Sequence, residues 1–172
     1  VVSAPHPGAL TRSPSSWLTG PAITHLLAMQ VPWLPERRIA RGGYVAAHLR
    51  RWSAPTNGFP SAEEGDRYRH ALALWPSPHC ALEYHRWLFR SRPRADGRAF
   101  ACTLRRGVDV PVLQVSGALD PAEPRRASAA SLRHVRGPFD RRTVADCGHY
   151  VQEEQPAELT RLLVDWLSAR PG

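Results

Sequence analysis

"VDVPVLQVSG", residues 108–117, packs four valines and a leucine into ten positions and ends on glycine. Its apolar residues fall on both parities of an extended chain, the composition of a short strand covered on both faces in a parallel sheet. "ALDPAEP" (118–124) then turns the chain, a helical stretch follows around residues 124–135, and "RRTVADCGH" (141–149) reads as a second short strand ending near Asp146. Pro156 opens a last helix, in which Leu159, Leu162, Leu163, Trp166 and Leu167 recur at i, i+3, i+4, i+7 and i+8 while Glu158, Arg161 and Asp165 face away. Strand, helix, strand, helix is one α/β unit, and a crossover of this length requires parallel strands.

Upstream, the pattern differs. "VVSAPHP" (1–7) is apolar, then small, then stopped by two prolines, as at the end of a strand and its exit loop. From about Ser15 to Ala101 the signals are helical, with frequent breaks. Ser15 or Ser16 suits a first cap, Pro35 the first residue of a second helix, and "SAEE" (61–64) has the capping-box spacing. Ser77 and Pro78 open a fourth helix that sets Ala81, Tyr84, His85 and Leu88 on one face. Five of the six tryptophans, Trp17, Trp33, Trp52, Trp75 and Trp87, fall in this helical stretch. The organisation is therefore a strand end and exit loop over 1–8, a helical unit over 9–106, and an α/β unit over 107–172.

Composition narrows the class. The chain has 172 residues, 42% of them hydrophobic, enough for a sizeable core, and no apolar run of membrane-spanning length. Three scattered cysteines, Cys80, Cys102 and Cys147, include no CxxC pair, so neither a zinc site nor a disulfide framework is expected, and a reducing, cytoplasmic setting is. The net charge is +8, yet all 23 cations are arginine and they are dispersed. Residues 1–106 carry 15 Arg and 6 acids, whereas residues 107–172 carry 8 Arg and 9 acids. Without a nucleic-acid motif around the Arg pairs, this bias does not identify a phosphate-binding surface, and no nucleic-acid partner is expected.

In open α/β sheets, functional groups collect beyond the carboxyl ends of the strands. Asp120 lies three residues past Gly117, and His149 three past Asp146. A lone Asp after a strand also serves as a turn or helix cap, and a lone His after Gly is often a surface residue. Together, on two consecutive parallel strands, they are a base and the carboxylate that orients it, two-thirds of a nucleophile–base–acid triad.

"VPVLQVSGALDPAEP" (110–124) and "DCGHYVQEEQPAELTRLLVDWL" (146–167) resemble the acid loop, the catalytic-histidine loop and the final helix of the α/β-hydrolase superfamily. "VVSAPHP" is similar to the strand that leaves the core sheet for the lid in the epoxide-hydrolase and haloalkane-dehalogenase branch, and "MQVPWLPE" (29–36) and "ALEYHRW" (81–87) resemble lid segments of epoxide hydrolases. The resemblance implies an α/β fold, the C-terminal part of a hydrolase core carrying an inserted helical lid, with Asp120 as acid and His149 as base. It implies a small apolar epoxide, ester or alkyl halide as substrate, a covalent ester intermediate, and neither metal nor organic cofactor.

The sequence departs from that pattern at two points. No G-x-S-x-G elbow or equivalent is present, so the nucleophile is expected upstream of Val1, and the chain alone is expected to be inactive. A binding module that lacks the nucleophile is the alternative. Where the family places two lid tyrosines that donate to the epoxide oxygen, this chain has His25 and His85, with Tyr84 one residue earlier. Packing within the lid or exposure on its surface is the other reading of both imidazoles. Trp17 and Trp33 are candidates for the roof of the pocket, His6 for its rim, and Tyr150 for either lining or packing.

Overall fold

The valine-rich run forms strand β1 (Val112–Gly117), buried along all but its first residue. It pairs in parallel with β2 (Phe139–Val144), with Val112 opposite Phe139 and Gly117 opposite Val144. On the other side of β1, Val2 forms a parallel bridge with Val115; Ser3 N donates to Val115 O and Val115 N to Val1 O. Three extended segments thus lie side by side, with β1 in the middle; Leu113 and Val115 share one face, while Val112, Gln114 and Ser116 share the other. The computed structural model describes residues 1–12, 21–121 and 125–170.

Helices surround this strip. In chain order they are α1 (Pro7–Arg12), α2 (Pro21–Ala28), α3 (Leu34–Ala40), α4 (Tyr44–Trp52), α5 (Ala62–Ala73), α6 (Ser77–Arg90) and α7 (Ala95–Arg106) before β1. α8 (Arg125–Ala130) and a 3₁₀ turn (Ser131–His134) separate the strands, and α9 (Val151–Glu154) and α10 (Pro156–Ser168) follow β2. The predicted capping box is formed: Ser61 Oγ accepts from Glu64 N, and Glu64 Oε2 accepts from Ser61 N. Ser77 opens α6 and Pro156 opens α10, whereas Pro35 is the second residue of α3, after Leu34. The expected first cap, Ser15 or Ser16, lies outside the described residues, as does Trp17.

Two apolar clusters form. One joins Met29, Ile39, Val45, Leu49, Phe59 and Leu82 across the helices; the other joins Leu113, Val115, Val144, Cys147, Val151 and Leu159 around β1 and β2. Tyr150 packs against the first cluster from the loop after β2, so the histidine loop touches both. α10 buries Leu159 and packs Leu162 and Trp166, but Leu163 and Leu167 of the expected apolar face are exposed. At 100° per residue, the i, i+3, i+7 stripe meets the sheet and the i+4, i+8 positions turn past it. On the outer face, Arg161 bridges Glu158 and Asp165.

Arg86 locks the helical part. It is 4% exposed; its Nε donates to Met29 O, Nη2 to Val31 O, and Nη1 to Glu36 at 2.6 Å and Glu83 at 3.1 Å. A buried guanidinium is tolerated only when every donor finds a partner, and here the partners tie α6 to the turn between α2 and α3.

Candidate active site

The loop after β1 and the loop after β2 meet because two glycines let them. A Cβ on Gly117 would fall on the carbonyl oxygens of Gly148 and Cys147, and one on Gly148 would fall on the backbone of Trp52, Ser53 and Ala54. Leu119 N donates to Cys147 O, and His149 N to Trp52 O, which stitches both loops to the end of α4. This approach sets Asp120 Oδ2 2.9 Å from His149 Nδ1. The Asp120 side chain has no solvent exposure, whereas His149 is about a third exposed and faces a cavity. With Nδ1–H donated to the carboxylate, Nε2 points its lone pair elsewhere, the tautomer a general base requires.

Glu154, to which the sequence reading assigned no role, fastens this loop. Its Oε2 accepts from Ala54 N, Asn57 Nδ2 and Gly148 N, and its Oε1 from Tyr150 N, at 2.5 to 2.9 Å. Four donors on one buried carboxylate satisfy its lone pairs and hold the backbone on both sides of His149. The signal was the acidic residue five positions after the histidine, at the first turn of the final helices.

The cavity beside His149 has a volume of about 810 Å³, a size suited to a small organic ligand. His25, His85, Tyr84 and Tyr150 line it, as do Ser3, Ala4, Pro5 and Pro7 of the exit loop. Two expectations fail. Trp33 is 79% exposed at the start of α3 and does not line the cavity; Trp52 does, 6% exposed, its ring 5.6 Å from that of His149. His6 does not line it either: its ring stacks on His134 at 4.4 Å, and its neighbours form the rim instead. Trp33 carries no periodic signal, whereas Tyr44, His48 and Trp52 recur every fourth residue on one face of α4; that spacing marks a common face but not what the face meets.

His48 was not anticipated. Its ring stacks on His25 at 4.8 Å and lies 5.5 Å from Trp52, and the His85 ring meets His25 edge-on at 5.5 Å. Burial is the main reason that the His25 pKa falls to about 4, helped by the neighbouring imidazoles and Arg51; His48 likewise falls to about 4. Both are therefore neutral at pH 7, each with one N–H to donate and one nitrogen to accept. His85 differs: its Nδ1 is 3.0 Å from Ala81 O, so in the neutral ring Nδ1 donates to that carbonyl and Nε2 is an acceptor. Burial, reinforced by Asp120 and Glu154, raises the Tyr150 phenol well above its usual range. Among the described residues no three His, Cys, Asp or Glu side chains are arranged to hold a metal ion.

The fold is that of the α/β hydrolases. Solved structures that share it include Cfl2 from Burkholderia cenocepacia (28% identity, TM-score 0.65, covering 93% of this chain and 49% of that one). ALR0039 from Nostoc sp. PCC 7120, provisionally assigned as an α/β hydrolase, gives 18% identity and a TM-score of 0.72 over 95% of this chain and 55% of its own. Epoxide Hydrolase A from Mycobacterium thermoresistibile gives 19% and 0.65 over 84% of this chain and 51% of its own. The chain spans about half the length of these proteins. No family model and no curated protein matches it. No described helix is long and apolar enough to cross a membrane.

Proposed function

We propose that this chain supplies the base, the acid and the lid of an α/β-fold hydrolase that works through an ester intermediate, in the manner of epoxide hydrolases. The observation that carries the reading is the His149–Asp120 pair at 2.9 Å, opening onto an apolar cavity roofed by helices α2 to α6. A nucleophile from outside these 172 residues attacks the electrophilic carbon and becomes esterified as that carbon's bond to its leaving group breaks. The electron pair goes to the epoxide oxygen, which takes a proton from solvent, to a halide ion, or to the alkoxide of an ester. His149 Nε2 then takes a proton from water, the resulting hydroxide adds to the ester carbonyl, and collapse breaks the ester C–O bond while the imidazolium returns its proton to the departing oxygen. The product is the alcohol where the nucleophile is a carboxylate and the acid where it is a hydroxyl, and Asp120 stabilises the imidazolium meanwhile.

In this reading residues 9–106 are the lid, and its imidazoles replace phenols as donors to the leaving oxygen. His25 and His48 suit that role because both are neutral and neither ring has a hydrogen-bond partner among the described residues. His85, whose Nδ1 is engaged, presents an acceptor, and Tyr84 at the rim holds a free phenol. A small epoxide, ester or alkyl halide is the substrate, and the free thiols of Cys80, Cys102 and Cys147 suit a reducing, cytoplasmic compartment.

The test is His149→Gln in the full protein, incubated with substrate and examined by intact-mass spectrometry. A persistent adduct of substrate mass on the nucleophile supports the mechanism. Undiminished steady-state turnover by that variant rejects His149 as the base.

A further inference from the structure

A second, more open cleft of about 410 Å³ adjoins the cavity at Tyr44 and is lined by Leu34, Arg37, Arg38, Arg41 and Tyr44. Tyr44 lines both spaces, so the two share a wall. The three arginines are exposed and, among the described residues, none has a carboxylate partner. The one acid of α3, Glu36, is turned the other way, against Arg86 at 2.6 Å. All three arginines line the one cleft, so like charges gather there with no counter-charge supplied among the described residues. Arg38 and Arg51 are both close enough to act on the Tyr44 phenol, which places positive charge at the edge of the apolar chamber.

From this juxtaposition we propose that the cleft is an anion subsite, and that the ligand is an amphiphilic carboxylate: its apolar chain lies in the chamber and its carboxylate lies among Arg37, Arg38 and Arg41. The proposal deepens the hydrolase reading by naming the substrate class, and rests on that reading's identification of the cavity as the substrate chamber. Guanidinium forks suit a carboxylate geometrically, and three of them lining one cleft add their attraction at a single anion. An apolar chamber alone would not prefer an acid to the alcohol of the same chain length.

Equilibrium binding tests this without turnover. Dodecanoate and 1-dodecanol, both below their aggregation limits, are titrated against the full protein at low salt, following tryptophan fluorescence. The acid is expected to bind about tenfold more tightly, from three exposed charge contacts of modest individual worth. In the Arg37→Gln/Arg38→Gln/Arg41→Gln variant that preference disappears while affinity for the alcohol and Tm are unchanged, and in the native protein added salt shrinks it. Equal affinity for the two ligands, or a preference that survives the triple substitution, overturns the subsite. Failure of both ligands to bind overturns the chamber as well. Tight, charge-dependent binding with no adduct in the His149→Gln variant rejects the hydrolase mechanism and leaves the subsite standing.

Discussion

His149 Nδ1 and Asp120 Oδ2 are 2.9 Å apart although 29 residues separate them, and the carboxylate is wholly shielded from solvent. Replacing Asp120 by Asn keeps the shape but offers an amide where a carboxylate accepted, which favours the wrong tautomer of His149. Turnover by the full protein is expected to fall by about a thousandfold or more with little change in KM. Steady-state kinetics beside a thermal melt checks this, because an inactive variant with native Tm separates chemistry from folding.

Glu154→Gln tests the clamp beneath that histidine. An amide nitrogen turned towards Gly148 N or Ala54 N replaces an acceptor with a donor, and the charge assistance is lost. A destabilisation of about 3 kcal/mol is expected, measured by denaturant titration. Loss below half a kilocalorie, roughly the spread of surface substitutions, would mean that the four contacts are incidental.

Gly117→Ala tests the close approach of the two loops. The new methyl meets carbonyl oxygens of Cys147 and Gly148, which are backbone and have little room to move. About 3 kcal/mol of destabilisation is expected, together with displacement of His149, visible as altered chemical shifts of its ring.

The two tryptophans provide a contrast. Trp52→Ala removes a ring that is 6% exposed and is expected to cost about 4 kcal/mol by chemical denaturation. Trp33→Gly removes a ring that is 79% exposed and relieves a residue held at φ 66°, so its effect is expected to stay within about 1 kcal/mol.

Acid should weaken the protein before its carboxylates titrate. His25 and His48 have folded pKa values near 4, below the ordinary histidine value, so between about pH 6.5 and pH 4 the unfolded chain binds protons that the folded chain refuses. Stability is fully present above that window and declines as pH falls through it. The His25→Phe/His48→Phe variant should show a smaller drop in Tm from pH 7 to pH 5 than the native protein; an identical drop would place the sensitivity elsewhere.

Much of this was legible in the linear chain because it rests on local physics. The four valines of 108–117, the Ser61–Glu64 box and the i, i+3, i+7 stripe of α10 each report a preference set by residues a few positions apart. Even the Asp120 and His149 pairing follows from strand ends, since a parallel crossover delivers consecutive loops to one edge. Trp33 and Trp52 show where that reasoning stops: both are large aromatic residues in helical sequence, and only the packing of α4 against the histidine loop buries one and leaves the other in solvent. The stack of His48 on His25 and the reach of Glu154 to Ala54, 100 residues away, depend on how separate elements meet. Sequence alone determined that a strand–helix–strand–helix unit follows a helical stretch and that Asp120 and His149 stand just past consecutive strand ends, although it placed the second strand about two residues late and did not single out α1, α4 or α7. Tertiary structure decided which side chains wall the cavity and which protons they hold, because burial and charge proximity are properties of the folded surface.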